Sequence, residues 1–306
     1  MKSNKLLKWF KFLVIGLIFF FISRYLYTNF NLLNLNDIHI DLYLFSMSVV
    51  IYLFQLFLMV VIWFILTKQN QCSVSFFETF KIRVYSDFGK YIPGKVFTYG
   101  MLLYNYEQKG ISKKKIMVCS LQESIIGILA PGIITLGCMY FSQVVDFKAY
   151  KNLIVIGLLL CLLLIHPRIL NYLLNILYTI LKKEKIEVTS TYLQVLYALF
   201  LVLIAWIIYS WAIFFFINSF YTFKIEDYFF ITFAFTISAI TGFLAIFSPG
   251  GIGVREGMLI FLLSFIFPNA ITVIIALLSR IWSTLIELFL FIVIFSISYF
   301  GKKAKS

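Results

Sequence analysis

Lys90, Lys95, Arg255 and Arg280, together with Glu123, Glu256 and Glu287, are the side chains of this sequence that could do chemistry. Lys90 and Lys95 flank a Pro93-Gly94 break. Arg255 and Glu256 follow a second break, Pro249-Gly250-Gly251-Ile252-Gly253. Glu123, Arg280 and Glu287 lie within long apolar runs. A charge at the centre of a bilayer costs about 2.5–3.5 kcal/mol on insertion scales, so such groups persist where they face a polar cavity or one another. The four cations suit an anionic headgroup, foremost a phosphate: Arg offers a planar fork and Lys a point charge. The three carboxylates would supply counter-charge to the empty cavity or hold a proton. A purely structural reading stands beside this one. Arg280 and Glu287, seven residues apart on one helical face, could pair, as could Arg255 and Glu256, and the two lysines could snorkel to headgroups.

No catalytic residue stands out. Glu107, Glu184, Glu226 and Asp227 fall in loops without an Asp-x-Asp pair, and His39 and His166 are isolated. The four cysteines are scattered, with no metal-ligand spacing and no disulfide framework. No metal or cofactor is expected. The glycines of the second break follow no strand and precede no Gly-Lys-Ser/Thr, which argues against a nucleotide loop.

These charges need elements that hold them in hydrocarbon. The chain has 306 residues, 62% of them apolar, and a mean hydropathy of +0.98. That composition predicts an all-α integral membrane protein. The apolar runs are too long and continuous for a membrane β-barrel. Six full spans can be drawn, at 11–28, 42–67, 116–141, 152–166, 193–218 and 271–299. The lysines ahead of 11–28 resemble a signal peptide, but no small-residue cleavage site follows, so this stretch reads as a retained first helix.

The stretches 76–108 and 228–268 carry Pro93-Gly94 and Pro249-Gly250-Gly251-Gly253. Broken helices survive at membrane depth only when buried in protein or lining a wet cavity. The net charge of +13 sits largely in short loops, where it sets orientation and meets anionic lipid; no nucleic-acid partner is implied. With both termini in the cytoplasm, only Lys148, Lys151 and Lys224 fall outside. This holds if both broken stretches are re-entrant hairpins, one from each side. Span, span, hairpin, span then occurs twice with opposite orientation, an inverted repeat of residues 1–148 and 149–306. The stretch 168–182, with Asn171, Asn175 and Thr179 on one face, reads as an interfacial helix. The segment 228–247 is long enough to cross fully instead.

At these residues the sequence resembles a known family. Ser-Pro-Gly-Gly-Ile-Gly-Val-Arg-Glu-Gly (248–257) and Ala-Leu-Leu-Ser-Arg (276–280) resemble the flippase-like membrane domain found as the transmembrane half of lysylphosphatidylglycerol synthases and in stand-alone membrane proteins. Gly-Lys-Tyr-Ile-Pro-Gly-Lys-Val (89–96) resembles its first-half motif, and Glu123 its intramembrane glutamate. The resemblance implies lipid handling in the cytoplasmic membrane: moving an anionic phospholipid or lipid-linked glycan headgroup between leaflets. It does not bring aminoacyl transfer, because the soluble transferase domain of the synthases would lie beyond Ser306. Two other readings are a membrane-embedded transferase on a lipid-linked substrate and a non-transporting accessory protein of envelope biosynthesis. Membrane lipids are the expected partners, with a homodimer or envelope-biosynthesis enzymes as candidate protein partners.

Overall fold

A computed structural model describes residues 40–91, 96–142, 144, 151–164, 169, 172, 190–245 and 248–303. The expected span 11–28, the interfacial helix 168–182 apart from residues 169 and 172, and the residues Pro93, Gly94 and Lys95 lie outside these. The described residues form nine α-helices and no strand: α1 Leu42–Gln69, α2 Phe76–Asp87, α3 Val96–Glu107, α4 Lys113–Phe141, α5 Lys151–Leu164, α6 Tyr192–Asn218, α7 Tyr228–Leu244, α8 Val254–Leu263 and α9 Asn269–Lys303. Short 3-10 turns occupy Phe88–Tyr91, Ile225–Asp227 and Pro249–Gly251. Five helical stretches are long and apolar enough to cross a membrane: α1, α4, α6, Ile225–Leu244 and Asn269–Ser298. The described helix within 152–166 is α5, with 14 residues. At 1.5 Å per residue that is about 21 Å, short of the roughly 30 Å of hydrocarbon.

Local chemistry sets the helix ends. The Asp41 carboxylate accepts from Tyr43 N at 2.8 Å and Leu44 N at 3.1 Å, capping α1. Thr191 and Gln194 form a reciprocal capping box at the start of α6. The two caps mark opposite ends of the bundle, because α1 and α6 pack side by side and antiparallel. At one end Asp41 N donates to Ser219 O at 2.7 Å, and at the other the Gln69 amide reaches Gln194 O at 3.5 Å.

The Gln69 end is closed by a buried polar chain. Asn70 Nδ2 donates to Gln122 Oε1 at 2.8 Å, and Gln122 Nε2 donates to Ser190 Oγ at 2.6 Å. All three are at most 5% exposed. In hydrocarbon an amide with both ends satisfied ties three segments together; removing it strands its neighbours. A Gln122→Leu variant keeps the volume and loses both bonds. It is expected to lower stability by about 1–3 kcal/mol, read as an earlier thermal melt in detergent.

The helices on either side of each Pro-Gly break pack on each other as the legs of a hairpin, α2 against α3 and α7 against α8. The first is rooted at the Gln69 end. Glu78, near the start of α2, pairs with Lys109, just past α3, and Glu107 pairs with Lys113 at 2.8 Å. The second is rooted at the Asp41 end, where Phe230 and Phe265 meet at 6.3 Å and Tyr221 and Phe267 at 5.4 Å. The chain therefore enters α7 and leaves α8 at the same end of the bundle, which makes 228–268 a return path. The hairpins approach from opposite ends and their tips touch.

Glycine permits the sharp turn of the second hairpin. Gly251 has φ +71°, and a Cβ there would stand 2.6 Å from Gly242 O and 2.8 Å from Gly242 C. The tip thus lies directly on the α7 backbone. Each hairpin also packs on a long helix: α7 along α4, where Thr135 and Thr236 hydroxyls bond at 2.8 Å, and α2 along α9, where Tyr85 and Phe291 meet edge-on at 5.3 Å.

Candidate functional site

The charged residues converge where the tips meet. A Cβ on Gly250 would come within 3.5 Å of Lys90 O and 2.8 Å of an Arg280 Nη atom. Around that contact lie Arg83, Lys90, Arg255 and Arg280, with Asp87, Glu123, Glu256 and Glu287. Of the sequence candidates, Lys90, Arg255, Arg280, Glu123, Glu256, Glu287, Gly250, Gly251 and Gly253 are thus gathered into one region, with the backbone of Pro249 in the same turn.

The ion pairs differ from those the spacing suggested. Arg280 does not pair with Glu287. Its Nη2 donates to Gly250 O at 3.1 Å, and its Nη1 stands 3.8 Å from Glu256 Oε1. Glu287 instead receives Lys90 Nζ at 2.7 Å and the Tyr52 hydroxyl at 3.1 Å. The first hairpin packs on α9, and its lysine reaches the carboxylate there. Lys90 accordingly points inward and does not snorkel. Arg255 stands 3.8 Å from Glu256 and donates to the Tyr209 hydroxyl at 3.2 Å. Glu256 is 3% exposed; its Oε2 accepts from Gly253 N at 2.6 Å, while its Oε1 accepts no hydrogen bond and faces both guanidiniums.

Glu123 is held by a residue that spacing did not single out. Arg83 Nη1 donates to Glu123 Oε2 at 2.7 Å, its Nε lies 3.1 Å from Asp87, and its guanidinium sits 5.2 Å over the Trp63 ring. The sequence did hold a signal for it: Arg83, Asp87 and Lys90 recur at i, i+4 and i+7, one face of a helix entering a Pro-Gly break. Arg83 of the first hairpin thus meets Glu123 of α4, and Glu256 of the second meets Arg280 of α9, an Arg–Glu contact in each case with the charges exchanged. Lys90–Glu287 is an ion pair between the first hairpin and α9.

Two cavities flank this cluster and share Arg83, Lys90, Ala239, Gly250 and Arg255. One of about 290 Å³ adds Thr98, Tyr99, Leu102, Glu123, Gly242 and Phe243. The other, about 380 Å³, adds Arg280, Asp87, Glu287, Tyr52, Gln55, Tyr209 and Ser283. Four cations face four carboxylates, so the described cluster is formally balanced. Balance lowers the cost of keeping these groups in a low-dielectric surround, since each charge has a partner. The cations are not equivalent, however. Arg83 and Lys90 each hold a carboxylate at 2.7 Å, whereas Arg255 and Arg280 share Glu256 at 3.8 Å. Among the described residues no group of three or more His, Cys, Asp or Glu is placed to hold a metal.

If Lys90 and Glu287 are coupled, reversing one charge leaves like charges facing and reversing both restores opposition. Lys90→Glu and Glu287→Lys are each expected to melt earlier than the wild type. The double variant should recover part of the loss, a coupling of about 0.5–3 kcal/mol in a thermal double-mutant cycle. Recovery stays partial because Tyr52 loses its acceptor.

The fold and site define a class: a multi-pass, all-helical membrane protein with two tip-to-tip broken hairpins around a buried ionic cluster. The chain belongs to the family described as the lysylphosphatidylglycerol synthase TM region, whose family model matches residues 8–290. Comparison with curated proteins and with solved structures found no match. The family ties this membrane protein to lipid handling.

Proposed function

We propose that this protein is a lipid translocase of the cytoplasmic membrane, not an enzyme, that passes an anionic phospholipid or lipid-linked glycan headgroup between leaflets. The observation that carries this reading is the meeting of two hairpins, rooted at opposite ends, on a shared cluster of cations flanked by two cavities. Arg255 and Arg280 are the headgroup ligands: both guanidiniums approach Glu256 at 3.8 Å, and each offers a planar fork to two phosphate oxygens. Lys90 joins them once Glu287 lets go, and Lys95 is proposed as a fourth headgroup cation. Glu123, Glu256 and Glu287 hold the empty site neutral.

The repeat reading supports movement. Residues 1–148 and 149–306 act as the two inverted halves, which rock about the tip contact so that the cluster faces each leaflet in turn. The basic residues Lys109, Lys113, Lys114, Lys115, Lys302, Lys303 and Lys305 face the cytoplasm, with both termini. Membrane lipids are the partners this reading requires; a homodimer or an envelope-biosynthesis enzyme would be additional.

The test is leaflet exchange by the purified protein in liposomes, using headgroup-labelled anionic phospholipid and a membrane-impermeant quencher. Protein-dependent exchange above protein-free liposomes is expected. Covalent change of the labelled lipid without exchange would move the protein to a transferase.

A further inference from the structure

Two thiols outside the ionic cluster lie in contact. Cys72 sits in the turn between α1 and α2, and Cys119 in the second turn of α4, with their Sγ atoms 3.2 Å apart. Both are buried, at 2% and 0% exposure, in the apolar cluster of Trp63, Ile82, Leu102, Tyr106 and Ile116. A disulfide needs a sulfur separation near 2.05 Å, so they must close by roughly 1.2 Å. Cys72 is also one residue from the solvent-facing Gln71 and Ser73, so a local opening of the turn exposes it.

The surroundings favour reaction at Cys72. Its thiol lies outside the spans. The adjacent Cys119 S–H, and the charge of Lys115, whose Nζ is 3.5 Å from Gln71 O, hold it below the ordinary thiol value against the effect of burial. Thr67 O at 3.2 Å fixes its position. Cys119 is in place as the resolving partner, with Leu66 O 3.9 Å from its sulfur.

We propose that Cys72 and Cys119 form a reversible oxidation site at the root of the first hairpin. The oxidant is a hydroperoxide. The Cys72 thiolate attacks the O–O bond, giving a sulfenic acid and releasing one hydroxide, which takes a proton to become water. Cys119 sulfur then attacks the sulfenic sulfur and the S–O bond breaks, releasing a second water. Two thiols have lost two electrons and two protons, and hydrogen peroxide has become two waters. A small dithiol reverses the step by exchange. The closed loop, 72 to 119, contains the whole of α2, the first tip and α3. The bond therefore staples the hairpin that carries Arg83 and Lys90 to α4. The inference stands on the thiol geometry and does not depend on the translocase reading.

The test treats purified protein in detergent with hydrogen peroxide, traps remaining thiols by alkylation after unfolding, and maps peptides by mass spectrometry. A Cys72–Cys119 linked peptide is expected, lost on dithiothreitol treatment, with Cys138 still alkylated because it lies in a separate cluster. Oxidised wild type should also melt several degrees higher than reduced wild type, and this shift should vanish in Cys72→Ser. Cys119→Ser serves as the second variant if Cys72→Ser folds poorly. Alkylation of both Cys72 and Cys119 after peroxide, or a linked peptide that pairs either with Cys138 or Cys161, overturns the proposal.

Discussion

Arg280→Glu is expected to abolish leaflet exchange. The change removes the guanidinium that bonds Gly250 O and places a carboxylate beside Glu256, which already has an oxygen without a hydrogen bond. A phosphate entering the larger cavity would then meet a carboxylate where it had met the Arg280 guanidinium. Arg280→Gln is the milder variant. Its amide can still donate to Gly250 O, so the tip should hold, but the charge is lost. A charge-assisted hydrogen bond is worth about 1.5–3 kcal/mol, so exchange should fall by about ten- to hundredfold, with elution and thermal melt close to wild type. Arg280→Lys keeps the charge without the planar fork and should fall between. Wild-type exchange in the Glu variant would remove Arg280 from the headgroup site.

Gly251→Ala is expected to be among the most destabilising glycine-to-alanine changes of the described residues, because a backbone clash and a left-handed φ coincide there. The left-handed backbone at φ +71° costs an L-residue about 1–2 kcal/mol by itself. The added methyl also meets Gly242 O at 2.6 Å, and both partners are backbone, so neither can swing away. The hairpin legs must separate, which loosens the Gly250 and Lys90 contact. A loss of about 3 kcal/mol or more is expected, seen as poor recovery from detergent and an early melt. Gly257→Ala is the control: it lies within α8, its Cβ meets nothing within 4 Å, and Ala favours helix by about 0.5–1 kcal/mol. Equal melting of the two variants would show that the tip does not rest on α7.

Both predictions rest on residues that the sequence made visible for different reasons. Arg280 stands out because a guanidinium inside an apolar run is costly, and Gly251 because Pro-Gly-Gly cannot continue a helix. The partners are another matter. Arg280 and Glu287 share a helical face, yet a lysine from a hairpin nearly two hundred residues away in the chain takes the glutamate. The cysteines looked scattered for the same reason: Cys72 and Cys119 meet because a whole hairpin is folded out between them. Arg83 was legible through its i, i+4, i+7 relation to Asp87 and Lys90, but it carries no weight until α4 brings Glu123 alongside. Tyr52 and Tyr209 left no trace, since aromatics are common throughout the chain and their roles come from position alone.

The sequence by itself determined the solvent this chain folds in, the lengths of most helices and the two places where helices must break. Those follow from composition, apolar run length and backbone sterics, which act over a few residues and need no partner. Only the tertiary structure decided that the hairpins are rooted at opposite ends, that their tips touch, and which carboxylate each cation holds. Charge pairing depends on the inverse of distance in space, and neighbouring positions in space here come from remote stretches of chain.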